Sequence, residues 1–224
     1  MIEALLQPRV LESKDWATFL FILSFGLIAI AKTAYETRFN DFLKILFSDK
    51  YIKIYKDPSY LMSGFTILLF IVQTISLSFF IQLFLAQLGY LSKTDWVVFI
   101  RIFTFLNVFI LSKFLIEKII ATVFNIEEFV EQFNLQKVSY RTFISLLIIP
   151  FDIFFFYNNN YTISVFFALG FIIMAINLYN YLISLKVYQN ILLCRLFYFI
   201  LYLCALEIAP YYFMYYLIAK NLAH

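Results

Sequence analysis

The sequence predicts an all-α, polytopic transmembrane helical bundle of about six spanning helices, with one or two interfacial amphipathic helices beside them. Three observations predict it. Hydrophobic residues make up 64% of the 224 residues and charged ones 14%, whereas a soluble domain is about half apolar and about a quarter charged. The mean hydropathy is +0.88. Apolar runs of about 20 residues, the length that crosses a bilayer as a helix, recur along the chain with charged residues gathered between them.

The first run, 16–34, is opened by Ser13-Lys14-Asp15. Arg9, Lys14 and the Ala29-Ile30-Ala31 triplet have the form of a cleavable signal, but the run is read as a retained span. The second, 61–88, follows Pro58, and the third, 96–124, is opened by Ser92-Lys93-Thr94-Asp95. The fourth, 140–157, carries Pro150; the fifth is 162–185. The sixth, 191–218, is long and holds Arg195, Glu207 and Pro210, so a break at the proline would divide it into two half-helices. Five to seven segments fit the text, and six is the reading. At both Trp16 and Trp96, Asp or Ser caps the helix start while Trp sits at headgroup level. These are two ordinary helix starts on one membrane face rather than an internal duplication.

Two connectors have helical spacing. Residues 37–56 alternate cations with Phe, Leu, Ile and Tyr, as an interfacial amphipathic helix does. Residues 125–138 set Glu127, Glu128 and Glu131 against Ile126, Phe129, Val130 and Phe133, and are expected to prolong the third span beyond the bilayer. With 4 Gly against 30 Phe and 17 Tyr, bulky aromatic packing replaces close small-residue contacts.

The basic residues set the orientation. Arg38, Lys44, Lys50, Lys53, Lys56, Lys118, Lys137, Arg141, Lys186 and Arg195 fall in or beside the odd-numbered loops, against Arg9, Lys14, Lys93 and Lys220 elsewhere. The positive-inside rule puts the first set in the cytoplasm and both termini outside. A net charge of +3 is too small to imply nucleic acid.

Ionisable residues inside the spans are the candidate functional or pairing residues. Lys32 can snorkel from the end of its helix. Lys113 and Glu117 lie four apart and are expected to neutralise each other, while Arg101 reaches the outer headgroups. Asp152 and Glu207 are harder to place, because a lone charge at the bilayer centre costs at least about 2.5–3.5 kcal/mol. Each acid has a nearby proline: Pro150 frees the carbonyl of Leu146, and Pro210 that of Leu206. An acid beside a broken backbone ladder suits a transporter's ion or proton site. The competing reading is that each acid pairs with Arg101, or bonds a liberated carbonyl while protonated, and fixes helix packing.

Nothing in the text supplies catalysis, a cofactor or a metal. GxSxG, HExxH, CxxC, P-loop and GxGxxG patterns are absent, and His224 is the sole histidine. Cys194 and Cys204 are ten apart on one apolar run, about 15 Å along a helix, whereas a disulfide needs Cα atoms within about 7 Å.

The most distinctive string, YLCALEIAP from Tyr202 to Pro210 after a Phe/Tyr-rich run, resembles the C-terminal signature of an inner-membrane family of Bacteroidota known as a domain of unknown function. Arg38-Phe39, Lys113 and Pro150 fit the same family. The resemblance implies a small inner-membrane protein without an assigned activity, and adds weight to Glu207 and Pro210. The expected function is a non-enzymatic subunit or scaffold of a cell-envelope assembly, with type IX secretion or gliding machinery as candidate client by lineage. Its partners are membrane lipids and other membrane subunits. The alternative is a small proton- or solute-coupled carrier using Asp152 and Glu207.

Overall fold

The computed structural model describes residues 14–45, 63–123 and 127–158, together with Tyr51, Ile54, Tyr55, Tyr60 and most of 164–176. Among these residues there are helices and no strands. Five helices follow in order: α1 (Asp15–Ala34), α2 (Glu36–Leu43), α3 (Gly64–Gln87), α4 (Trp96–Val123) and α5 (Glu127–Tyr157). A shorter apolar helix, Ser164–Ile173, lies in the expected fifth span. Four helices are long and apolar enough to cross a membrane: α1, α3, α4 and the Val130–Tyr157 part of α5. These four match the first four expected spans. Most of the fifth and all of the sixth, with Glu207, Pro210, Arg195 and both cysteines, lie outside the described residues.

Local chemistry fixes the helix ends. Asp95 Oδ1 accepts the amides of Val97 at 2.8 Å and Val98 at 3.4 Å, capping α4 as its sequence predicts. The start of α1 has no side-chain cap. Its Trp16 instead donates its indole N–H to the Thr94 carbonyl at 3.2 Å and meets Trp96 at 5.8 Å between ring centroids. The two Asp-Trp starts therefore sit together at one end of the bundle. Gly89, with φ of 82°, ends α3 in a Schellman turn, closed by Tyr90 N–H to Leu85 O and Gly89 N–H to Ala86 O. The loop that follows then caps α5, where Lys93 Nζ donates to Asn158 O at 3.1 Å.

Helix α3 is the hub, packed against α1, α4 and α5. Of its apolar window 56% is buried, against 11% for α4, so α4 stands as an outer helix with one edge on the bundle. Two aromatic clusters close the ends. At the Trp16 end, Phe79 of α3 stacks on Phe21 and Trp16 at 4.4 and 5.7 Å, and meets Phe99 at 4.5 Å and Phe156 at 5.8 Å. At the other end Phe39 and Phe42 of α2 meet Phe65 of α3, and Phe42 reaches Phe143 of α5. This is the aromatic packing expected of a Gly-poor chain. Gly64 belongs to that end because a Cβ there would stand 2.6 Å from the Tyr35 hydroxyl.

One expectation is corrected. The described part of the 125–138 connector does not prolong the third span; it is the first part of α5, continuous with the fourth. Apolar periodicity shows that the stretch is helical but not which neighbour it joins. The 31 residues of α5 rise about 46 Å against a hydrocarbon core of about 30 Å, which leaves its first turns for the headgroup region. In the 37–56 connector α2 is helical, as are Tyr51 and Ile54, while residues 46–50, 52, 53 and 56 lie outside the described set.

Candidate functional site

Between the two aromatic clusters, α3 and α5 meet along a seam of polar side chains. Gln73 and Ser76 of α3 meet Thr142, Ser145 and Asp152 of α5, and all five are buried. Gln73 with Ser76 (i, i+3), and Thr142 with Ser145 and Asp152 (i, i+3 and i+10), each share one helical face. Thr142 donates to Gln73 Oε1 at 2.7 Å. Ser76 Oγ lies 3.0 Å from the Ser145 carbonyl and 3.0 Å from Asp152 Oδ2. Asp152 is 0% exposed, and its Oδ1 has no hydrogen-bond partner among the described residues.

The acid lies deeper in the bundle than its distance from Tyr157 implies. Ser76 is at the midpoint of α3, about 18 Å from either end. The expected Arg101 pairing does not form: Arg101 is exposed on α4, and no cation reaches Asp152 among the described residues. Helix α5 continues through Pro150, whose ring is on the exposed side while Asp152 is on the buried one. The carbonyl drawn across the interface belongs to Ser145, next to the Leu146 carbonyl that Pro150 leaves without its helical donor.

Lys113 and Glu117 form the expected pair, and Glu117 has a second partner. Glu117, 2% exposed, does meet Lys113, at 3.9 Å, but its closer partner is Lys137 of α5 at 3.0 Å. Glu117 thus keeps its partner within α4 and also ties α4 to α5. Lys32 is exposed at the end of α1, as snorkelling requires.

Arg38, read from the sequence as a loop cation and as part of the family resemblance, is 5% exposed. Its Nη1 donates to Ser63 Oγ at 2.6 Å, its Nη2 to the Tyr60 carbonyl at 3.1 Å and Thr66 Oγ1 at 3.2 Å, and its Nε to Tyr51 Oη at 3.3 Å. The rings of Phe65, Tyr55 and Tyr60 stand 4.6, 5.1 and 5.1 Å from its guanidinium carbon. Such a planar fork among rings and oxygens uses what lysine lacks. Burial pushes the Tyr51 phenol above its ordinary value, although Arg38 pulls the other way. Arg38 therefore fastens the connector to the start of α3.

Sequence reasoning found Asp152 by its charge but missed Gln73, Ser76, Thr142 and Ser145. The available signal was polar residues recurring at helical spacing inside apolar runs. Chemically, the seam can hold two helices in register.

Across residues 17–218 the chain matches the model of the family described as a domain of unknown function, DUF4271. It belongs to that family, as the resemblance implied at this level. No curated protein and no solved structure matches it.

Proposed function

We propose that this DUF4271 protein is a non-enzymatic, multi-pass scaffold subunit of a multi-protein assembly in the bacterial inner membrane. In this reading it has six spans, both termini are periplasmic, and the Arg38 end of the bundle faces the cytoplasm. One observation carries the reading: Asp152, the intramembrane acid that would mark a carrier, is 0% exposed and bonded to a hydroxyl of the neighbouring helix. Its seam lies between two aromatic clusters, so its polar groups serve adhesion between helices. A second feature supports a partner. Exposed Phe105, Val108, Leu111, Leu115 and Ile119 run down α4, a face available to another subunit. By lineage, type IX secretion or gliding machinery is the candidate client.

Isolation from native membranes in mild detergent, with mass spectrometry of what travels along, tests this. A stoichiometric membrane partner that is lost when Leu111 and Leu115 are replaced by Trp is the expected result. A chain that runs alone at its monomer mass contradicts it. The carrier reading draws on Gln73 Nε2 and Asp152 Oδ1, buried polar atoms without partners that water would satisfy. A proton flux in liposomes holding this chain alone, abolished by Asp152→Asn, would establish that reading instead.

A further inference from the structure

Hydroxyls on the spanning helices share a habit. Thr18, Ser24, Thr33, Ser78, Thr122 and Ser145 each donate to the carbonyl four residues back in their own helix, which satisfies the proton where no water can. Thr66, Ser76 and Thr142 bond to other groups instead. Thr104 and Ser112 of α4 do neither: both are exposed, and neither hydroxyl makes a hydrogen bond among the described residues. Arg101 of the same helix is exposed as well, with no carboxylate beside it among those residues. Spaced i, i+3 and i+11, the three share one face of α4, opposite its buried Phe99, Glu117 and Ala121. Val108 lies among them, 59% exposed. With Trp96 at the headgroup layer, Arg101 is five residues in and Thr104 eight, about 8 and 12 Å into a hydrocarbon core of about 30 Å.

We propose that this face of α4 binds a spanning helix of another subunit, one that carries a carboxylate at the depth of Arg101 and hydrogen-bonding side chains against Thr104 and Ser112. The inference rests on the scaffold reading and names the chemistry of its partner. Charge selects the occupant, because a cation covered at this depth needs an acid opposite it. Lipid tails offer Thr104 and Ser112 no hydrogen bonds. Two copies in one membrane share an orientation, so a two-fold pairing through α4 would set Arg101 against Arg101 at equal depth. The one acid of the expected fifth and sixth spans, Glu207, is eleven residues in from the end of its apolar run, against five for Arg101. In the six-span reading those depths do not match, so the acid belongs to another chain.

The test uses the full chain in its native membrane, with photoreactive benzoylphenylalanine in place of Val108. Illumination should join α4 to a spanning segment of a different protein, with an Asp or Glu about two turns from the joined position toward the Trp16 end. With both chains purified in mild detergent, Arg101→Glu should weaken the complex at least about thirtyfold, and an arginine in place of the partner's acid should restore it. Thr104→Val and Ser112→Ala should each weaken it about threefold. Should Arg101→Glu fail to insert, the partner's acid is changed to its amide instead, with a similar loss expected. A crosslink only to lipid, to 191–218 of the same chain or to α4 of a second copy overturns the proposal. Unchanged affinity on charge reversal overturns it too, because Arg101 then serves only the headgroups. A partner that stays with Arg101→Glu leaves the scaffold reading standing, whereas a parent chain without any partner removes both.

Discussion

Ser76 has one hydroxyl proton and two acceptors, the Ser145 carbonyl and Asp152, each at 3.0 Å. If the acid brings its own proton to Ser76 Oγ, the serine is free to donate to the carbonyl and every contact is made. Asp152→Asn preserves that arrangement, because the amide donates in place of the acid. It should unfold within about 1 kcal/mol of the parent in a mixed-micelle titration with sodium dodecyl sulfate. A double-mutant cycle of Ser76→Ala with Asp152→Ala should show a coupling of about 0.6–1.7 kcal/mol, from the average to the maximum found for hydrogen bonds between membrane helices. Zero coupling would mean the contact holds nothing. Arg38 makes a second residue-scale test. Arg38→Lys keeps the charge but loses the fork and the ring stacking, and should cost about 2–4 kcal/mol. Beside it, Tyr51 carries a linkage effect. Its phenol ionises at higher pH folded than unfolded, so the folded state holds the proton more tightly. That contribution is complete below about pH 10, the ordinary tyrosine value, and is lost as pH climbs toward the raised folded value. Tyr51→Phe should flatten this alkaline decline in a melting series.

At the scale of elements, the spans were readable because lipid leaves the backbone few choices. Asp95 and Trp96 mark the start of α4, and the Gly89 turn marks the end of α3. What was illegible was long-range pairing. The i, i+4 rule saw Lys113 with Glu117, but Lys137 lies twenty residues away on another helix and sits closer. That residues 127–138 belong to α5 was hidden because their apolar spacing reads as helix without telling which neighbour the helix joins. Two consequences are measurable in the same detergent titration. Lys137→Met takes the nearer counterion from buried Glu117 and should cost about 3–5 kcal/mol, clearly more than Lys113→Met. Phe79→Ala empties the point where rings of α1, α4 and α5 converge on α3, and should cost about 3–5 kcal/mol as a cavity.

Across the whole molecule, charge and polarity are sorted by depth. Arg38, Lys113, Lys137 and Arg141 gather at one end, Trp16, Trp96 and Tyr157 at the other, and the polar seam lies enclosed between them. Composition alone revealed the class of molecule. The seam was only half visible, since serine, threonine and glutamine in an apolar run give no alarm until helices are paired. The account rests on that seam being closed to water, and thiol accessibility beside Asp152 tests this most directly. Ser76→Cys is nearly isosteric and can be placed in a chain carrying Cys194→Ser and Cys204→Ser, with exposed Thr18→Cys as the positive control. In intact and in opened membrane vesicles, a water-soluble maleimide should label position 18 and leave position 76 unmodified. Labelling at 76 from either side would reveal an aqueous path to Asp152 and contradict the account.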